Sequence, residues 1–560
     1  ALARALAARG QRVLDAADGP AERKVFVAPP GTDSWESLLR LIGSLAGAAP
    51  PRPRLSILTF DAHALAGSSV SPEAALLWGL GRTLAIEHPD LWGGLIDLDS
   101  RDVRPEAGPA GRDTLDTLVE CLLSPLSDQV ALRHNAPYVP RLVEAGPDAF
   151  GPPVAIRPDA AYLITGGCGA IGLRVAQHLI DRGARHLVLA GRRGAASDAT
   201  AWLEQARRDG YDVEVVRCDV ADPAQVRDLL ARLERAPIPL KGVIHAAGIL
   251  DDGVLARLTP ERFAAVLAPK VVGARHLDVA TRGLALDFFA LFSSAAALFG
   301  SGGQASYTAA NAFLDALAHQ RRAIGLPAVS INWGPWEGTG MTARVPADRR
   351  HHSANGANSA NRATGIAGVR PLPPDAAVHL LDTALGATCA QVAVLAGALP
   401  TLGGPAMPAA SSAAAGPEYA QSIDGIQDFV CDVVAEGLGI PRPDLPLDVP
   451  LLSLGFDSFL ALDVQQRLEA TWQITLPPAE LLTVGGVSDL VRLVHAAWLH
   501  AAETSEAPQA PQAPQGPEAH EPETESSIGG LLDQIRGLSD DQVEALLAAE
   551  RSRSTKEDGR

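Results

Sequence analysis

Basic residues are in short supply. Against 65 aspartates and glutamates stand 47 lysines and arginines, a formal net charge of −18 over 560 residues. That balance counts against nucleic acid or an anionic membrane as a partner, since both select a positive face. Cysteine is scarce too: Cys121, Cys168, Cys218, Cys389 and Cys431 are scattered and form no CxxC pair. A reducing compartment follows, with neither a disulfide scaffold nor a zinc site, so no metal is expected. No uninterrupted apolar stretch approaches the roughly 18 residues of a membrane span. The N-terminus also lacks the basic, apolar and cleavage regions of a signal peptide, so the expectation is a soluble, cytoplasmic protein. A starting methionine is missing as well, and ALARALAARG reads as the beginning of an excised piece.

What is present is length and punctuation. A chain of 560 residues is too long for one core, and 53 glycines with 43 prolines leave room for loops and linkers. In the first 155 residues KVFVAP (24–29), RLSILTF (54–60) and WGGLIDLD (92–99) read as strands, and AALLWGLGRTLAIEH (74–88) as a helix. No glycine-rich turn follows those strands, so this layer looks like a dinucleotide fold without the means to hold a dinucleotide. From 158 onward seven strands are predicted, at 161–167, 186–191, 212–220, 241–248, 286–294, 327–334 and 391–397. Helical stretches separate most of them, the pattern of βαβ units on a parallel sheet covered on both faces.

The polar segment 345–368 interrupts that pattern and is predicted to be a mobile loop; its His351 and His352 read as solvated rather than as ligands. Residues 398–420 are a linker by composition. Three apolar-striped helices follow at 424–439, 457–472 and 486–500. Residues 501–525, rich in proline, glutamate, glutamine and alanine, are expected to be disordered. Two short amphipathic stretches, 527–537 and 539–550, close the chain, the second with Ser539 as an N-cap. A helix that short is marginal alone, so its leucines imply a protein partner.

The glycines of TGGCGAIG, residues 165–172, stand between an apolar strand and a helical pattern. Gly166, Gly167, Gly169 and Gly172 suit a tight turn and close approach to a pyrophosphate, with Ala170 and Ile171 opening a helix whose N-terminus faces the negative charge. The next strand ends in Arg192 and Arg193 rather than in the acid that binds a ribose diol. A guanidinium suits a 2′-phosphate, so the expected cofactor is NADPH, Arg192 being the better placed. Cys218, Asp219 and Val220 end the third strand, where Asp219 could meet the adenine amine. His245, Ala246, Ala247 and Gly248 end the fourth, where small side chains admit the ribose.

These segments, together with GVIHAAGILDD, APKVVGARHLD, LFSSAAALFGSGGQASYTAANAFLDALA and INWGPWEGTGM, resemble the ketoreductase domain of modular type I polyketide synthases, a branch of the short-chain dehydrogenases. The resemblance implies two Rossmann-like α/β subdomains, a structural one at 1–155 and a catalytic one at 156–400. After a linker at 401–422 it implies an all-α acyl carrier domain at 423–500, and beyond the compositionally disordered stretch at 501–525 the tail at 526–560 looks like a docking element. Ser294 and Tyr307 lie thirteen residues apart and Asn311 follows four later on one helical face. Tyr307 would protonate the developing alkoxide while Ser294 donates to the same oxygen. A phenol with a pKa near 10 needs help from an ammonium or the cofactor ribose. The superfamily's usual lysine position holds Asn311; the resemblance assigns the ammonium to Lys270 and leaves Asn311 a relay or water-positioning role. Spacing alone cannot place Lys270 beside Tyr307.

Leu250, Asp251 and Asp252 match the signature of B-type members, and Phe299 stands where the opposite type has tryptophan; a D-configured 3-hydroxyl is implied. Gly302 departs from the proline common in B-type members. LLSLGFDSFLALDVQQRLE (451–469) resembles a carrier attachment site, with Ser458 bearing 4′-phosphopantetheine and Asp457 on an acidic recognition surface. The implied partners are a β-ketoacyl group on the chain's own carrier, the other domains of the module, and a downstream synthase polypeptide met through the tail. A reductase fold kept for architecture, and a free-standing alcohol dehydrogenase, are the other readings. Intact Tyr307, Ser294 and Lys270 argue against the first, and the fused carrier against the second.

Overall fold

The computed structural model describes residues 2–338, 369–397 and 423–505, apart from short stretches within them. The polar segment with His351 and His352, the linker and the C-terminal tail lie outside the described residues.

The N-terminal half runs α1 (Leu2–Ala8), β1 (Arg23–Val27), α2 (Trp35–Ala46), β2 (Arg54–Phe60), α3 (Pro72–Glu87), β3 (Trp92–Leu98), α4 (Gly108–Leu123), β4 (Gln129–Arg133) and β5 (Ala136–Tyr138). Its sheet has the order β1-β2-β3-β4-β5, parallel except for the final pair. Helix α3 starts where Ser71 accepts from Ala74 N and Pro72 fills the first turn, the residue types that satisfy and pre-set a helix N-terminus. It is buried on nearly every side, as an all-round apolar helix must be. On one side it meets its own sheet. On the other it lies against helix residues of the domain that follows, so close that a Cβ on Gly79 would stand 2.5 Å from the Thr308 carbonyl oxygen.

The second half continues with β6 (Ala161–Thr165), α5 (Ala170–Asp181), β7 (His186–Gly191), α6 (Ser197–Arg208), β8 (Asp212–Arg217), α7 (Pro223–Arg235) and β9 (Leu240–His245). Then come α8 (Pro260–Leu267), α9 (Gly273–Thr281), β10 (Phe288–Ser294), α10 (Ala296–Phe299), α11 (Ala305–Ala323), β11 (Val329–Trp333), β12 (Val369–Arg370), α12 (Pro374–Leu385), β13 (Gln391–Val394) and β14 (Ala396–Gly397). Seven parallel strands in the order β13-β11-β10-β9-β6-β7-β8 form a doubly wound sheet. The strand order reverses between β6 and β9, which opens a crevice beyond their C-terminal ends. All seven predicted strands are present, because strands buried on both faces read as apolar runs. Patterning misses α1, α2, α4, β4 and β5.

The third part contains α13 (Ile423–Leu438), α14 (Pro478–Leu481) and α15 (Val487–Ser505). Helix α15 extends to Ser505, so residues 501–505 are helical rather than part of a disordered stretch; Ala501, Ala502 and Glu503 are good helix formers that carry the helix on before the first proline. Of the helix expected at 457–472, Ala461, Val464 and Leu468 are described and are fully buried, the spacing of one helical face. Ser458 and Asp457 lie outside the described residues.

Candidate active site

The crevice is built by close backbone approach. Gly166 has a φ of +69°, and a Cβ there would stand 2.9 Å from Ala246 O and 3.0 Å from Ala247 Cα. A Cβ on Gly172 would press against Gly167 Cα at 2.7 Å, and one on Gly167 against Leu189 Cβ at 2.8 Å. Only hydrogen fits at these points, so the turn after β6 lies flat against the turn after β9. Helix α5 begins directly after Gly169, which leaves its first N–H groups free of intrahelical partners. A cradle of this shape fits a dinucleotide pyrophosphate. Arg192 and Arg193 stand exposed beyond β7. Cys218 and Val220 are buried, and the Asp219 carboxylate accepts from Ala221 N at 3.0 Å.

His245 closes the floor. Its Nδ1 lies 2.7 Å from Thr165 Oγ1, and burial, with the Lys270 charge nearby, pushes its pKa down to about 3. The ring is therefore neutral. Lys270 sits in a π-helical turn, 268–272, between α8 and α9; the extra residue rotates its side chain inward. Nζ donates to Phe292 O and to Asn311 Oδ1, both at 2.8 Å, and lies 5.2 Å from the Tyr307 ring centroid. Gly248 makes room, since a Cβ there would stand 3.0 Å from Lys270 Cε. Burial lowers the Lys270 pKa to about 7, opposed by the charge of Asp315.

Asn311 also donates through Nδ2 to Tyr307 O at 2.8 Å. Both ends of its amide are thus committed, one to the ammonium and one to the turn that carries the phenol. Burial pushes Tyr307 up to about 12, with the Ser294 and Asn311 side chains acting in the opposite direction. Ser294 Oγ accepts from Ala296 N at 3.2 Å, which fixes it at the end of β10. The structure therefore brings Lys270, Asn311, Tyr307 and Ser294 together. Behind them is a polar network absent from the sequence reading. Asp315 accepts from Ser330 Oγ at 2.6 Å and Asn332 Nδ2 at 2.8 Å; Asn332 Nδ2 also reaches Ser293 Oγ at 3.0 Å, which donates to Asn311 O at 3.2 Å. Burial raises the Asp315 carboxyl to about 6.

Leu250 packs against a small cluster containing Val266, Ala296 and Tyr307. Asp251 is held by the Arg262 guanidinium, with Nε 3.1 and 3.0 Å from its two oxygens, and Asp252 accepts from Gln304 Nε2 at 3.3 Å. The stretch 250–252 thus reaches the residue just before α11. Two further buried groups come from the N-terminal half: Arg82 reaches Ala297 O, and Glu87, pushed by burial up to about 7, accepts from two backbone N–H groups. Their only signal in the sequence is polarity inside an otherwise apolar helix. Among the described residues no cluster could hold a metal ion, and no helix is long and apolar enough to cross a membrane.

Residues 160–338 match the family model of the KR domain, and 2–142 match that of the Rossmann fold domain of the polyketide synthase extender module SpnB. Residues 428–494 match the phosphopantetheine attachment site. Among solved structures, the first ketoreductase of the tylosin polyketide synthase is 37% identical with a TM-score of 0.56, over 67% of this chain and 78% of that one. The chain belongs to the ketoreductase and carrier region of modular type I polyketide synthases. A C2-type ketoreductase from a modular polyketide synthase is 33% identical at a TM-score of 0.56, over 71% of this chain and 82% of that one. Polyketide synthase GfsA of Streptomyces halstedii is 40% identical over 77% of this chain, and erythronolide synthase EryA3 of Saccharopolyspora erythraea 36% identical over 77%. This ketoreductase and carrier region spans 6% and 13% of the length of those two synthases.

Proposed function

We propose that this region reduces the 3-keto group of a β-ketoacyl thioester carried on its own phosphopantetheine arm, using NADPH, and yields a D-configured 3-hydroxyacyl product. The observation that carries the reading is the convergence of Lys270, Asn311, Tyr307 and Ser294 beside a glycine cradle at the strand-order reversal. NADPH, when bound, supplies the hydride. Gly166, Gly167, Gly169 and Gly172 would hold its pyrophosphate, and Arg192 its 2′-phosphate. Tyr307 donates its hydroxyl proton to the developing alkoxide, and Ser294 donates a hydrogen bond to the same oxygen. The Lys270 ammonium lowers the cost of leaving Tyr307 as phenolate. Asn311 holds that ammonium in place, since its amide is occupied at both ends.

Ser458 is the proposed attachment point for 4′-phosphopantetheine, whose flexible arm would raise the local concentration of thioester at the crevice. The fused carrier match favours this substrate over a free alcohol. The B-type product rests on Leu250, Asp251 and Asp252. The proposed partners are the other domains of the module and a downstream synthase polypeptide bound through the tail. The proposed domain limits are those read from the sequence, with the carrier extended to 505.

The test is NADPH consumption by the purified protein with a β-ketoacyl pantetheine thioester, followed by chiral analysis. Turnover to the D-3-hydroxyacyl thioester is expected, falling roughly 10²- to 10⁴-fold in Tyr307→Phe. An L product would overturn the stereochemical reading, and a folded protein that does not bind NADPH would overturn the catalytic one.

A further inference from the structure

Helix α3 belongs to the half without a nucleotide loop, yet three side chains of its last two turns make four hydrogen bonds to the catalytic half. Arg82 donates to Ala297 O, Thr83 Oγ1 donates to Ser301 O at 3.3 Å, and Glu87 accepts from Leu255 N at 2.6 Å and from Gly303 N at 2.7 Å. Glu87 is 1% exposed and spends one carboxylate oxygen on each loop. Those loops also meet directly, because Gly253 N donates to Gly303 O at 2.8 Å. One loop follows Leu250, Asp251 and Asp252; the other precedes Tyr307 by four residues. Gly303 has a φ of +75° and Gly300 a φ of +81°, so the second loop adopts a backbone that few other residues would choose.

We propose that Glu87 is a positioning residue for reduction: it fixes the two loops that flank Tyr307 in one mutual register and thereby the face of the ketone presented to the phenol. The inference rests on the ketoreductase reading. Its physical basis is that a carboxylate offers two acceptors where an amide offers one acceptor and one donor. In Glu87→Gln the side-chain NH2 must face either the Leu255 or the Gly303 N–H, and that loop loses its anchor with almost no change in volume. Leaving a buried donor unmatched is costly, and misplacement of about 1 Å beside a reacting centre can lower a rate by roughly 100-fold.

The experiment uses the full phosphopantetheinylated chain. Wild type, Glu87→Gln and Glu87→Ala are compared for kcat, KM, diastereomeric ratio of the 3-hydroxy product, NADPH affinity and Tm. The expected result is a roughly 10- to 100-fold loss in kcat with a minor stereoisomer now measurable and NADPH affinity within about twofold of wild type. Unchanged kcat and stereochemical purity in folded variants would overturn the proposal. So would a loss of activity matched by a loss of NADPH affinity, with the product ratio unchanged, since that is general damage. If neither variant folds, hydrogen exchange in the wild type decides: protected Leu255 and Gly303 amides support the clamp, and freely exchanging ones overturn it. Failure of the wild type itself to reduce the thioester would count against the ketoreductase reading instead.

Discussion

Replacing Lys270 by methionine tests the electrostatics of the site directly, and the informative quantity is a slope against pH. Burial lowers the Lys270 pKa from 10.5 to about 7, equivalent to roughly 5 kcal/mol against the ammonium form in the folded protein. Below pH 7 folded and unfolded chains both hold the proton, and the penalty is present in full. Between 7 and 10.5 the unfolded chain binds more protons, so wild-type stability rises with pH and levels off above 10.5. In the folded protein the groups facing Lys270 do not titrate in that window, and the unfolded Tyr307 phenol, which ionises near 10, is common to wild type and variant. Asp315, at about 6, is already ionised; His245, at about 3, is already neutral; Tyr307, at about 12, is still protonated. Lys270→Met strips a donor from Phe292 O and Asn311 Oδ1, a pH-independent cost of about 1–3 kcal/mol for each acceptor left unmatched, so stability at a single pH decides nothing. Urea unfolding of the cofactor-free protein, followed by tryptophan fluorescence from pH 7 to 10.5, should show wild type gaining up to about 5 kcal/mol relative to the variant. In the wild type, kcat/KM for reduction should fall over the same range, because that quantity reports the free enzyme. Parallel stability curves for the two proteins would refute the reasoning.

In Gly79→Ala the new Cβ meets Thr308 O at 2.5 Å, so α3 and α11 must part, and calorimetry should show a loss of about 1–3 kcal/mol; an unchanged Tm would sink the idea. Arg192→Ala should raise the KM for NADPH roughly 10- to 100-fold, the worth of a charged hydrogen bond, and leave that for NADH unchanged; equal effects on both would reassign the arginine to the surface. Ser458→Ala should abolish the mass gain on treatment with coenzyme A and a phosphopantetheinyl transferase while leaving reduction of a soluble thioester intact, and a persisting mass gain would place the arm elsewhere.

The catalytic sheet was legible because strands covered on both faces are apolar along their length and end in glycine or a turn. Strand β4 was not, because QVALR is short and ends in an arginine that reads as surface. In the structure Arg133 is fully buried and pairs with Asp97 at 2.6 Å. Tyr307, Ser294 and Asn311 could be grouped from spacing on one strand and one helix. Lys270 could not: it precedes Tyr307 by 37 residues and reaches it through a π-helical turn that no periodicity announces. Asp315 and Glu87 are single acids within helical patterns, and both are buried in the structure. Burial of such groups depends on which element packs over them, which is a long-range property of the fold.

That long-range property extends into the N-terminal half. At the C-terminal ends of its strands, Asp97 pairs with Arg133 and accepts from Thr59 Oγ1 at 2.8 Å and Ala62 N at 2.8 Å. A buried ion pair is tolerable only when its hydrogen bonds are nearly complete, and these contacts fill the strand ends with protein. Thr59 in turn accepts from Trp78 Nε1 at 2.9 Å, and Ser71, the cap of α3, donates its N–H to Asp61 O at 2.7 Å. Rotation and axial position of α3 are therefore keyed to that plug at its N-terminal half, while Arg82, Thr83 and Glu87 grip the catalytic loops at the other end. A change of helix register by one residue would swing Glu87 about 100° away from Leu255 and Gly303. The plug and the clamp act along one rigid element, so the half that lacks a nucleotide loop contributes to the site by holding α3 at one angle.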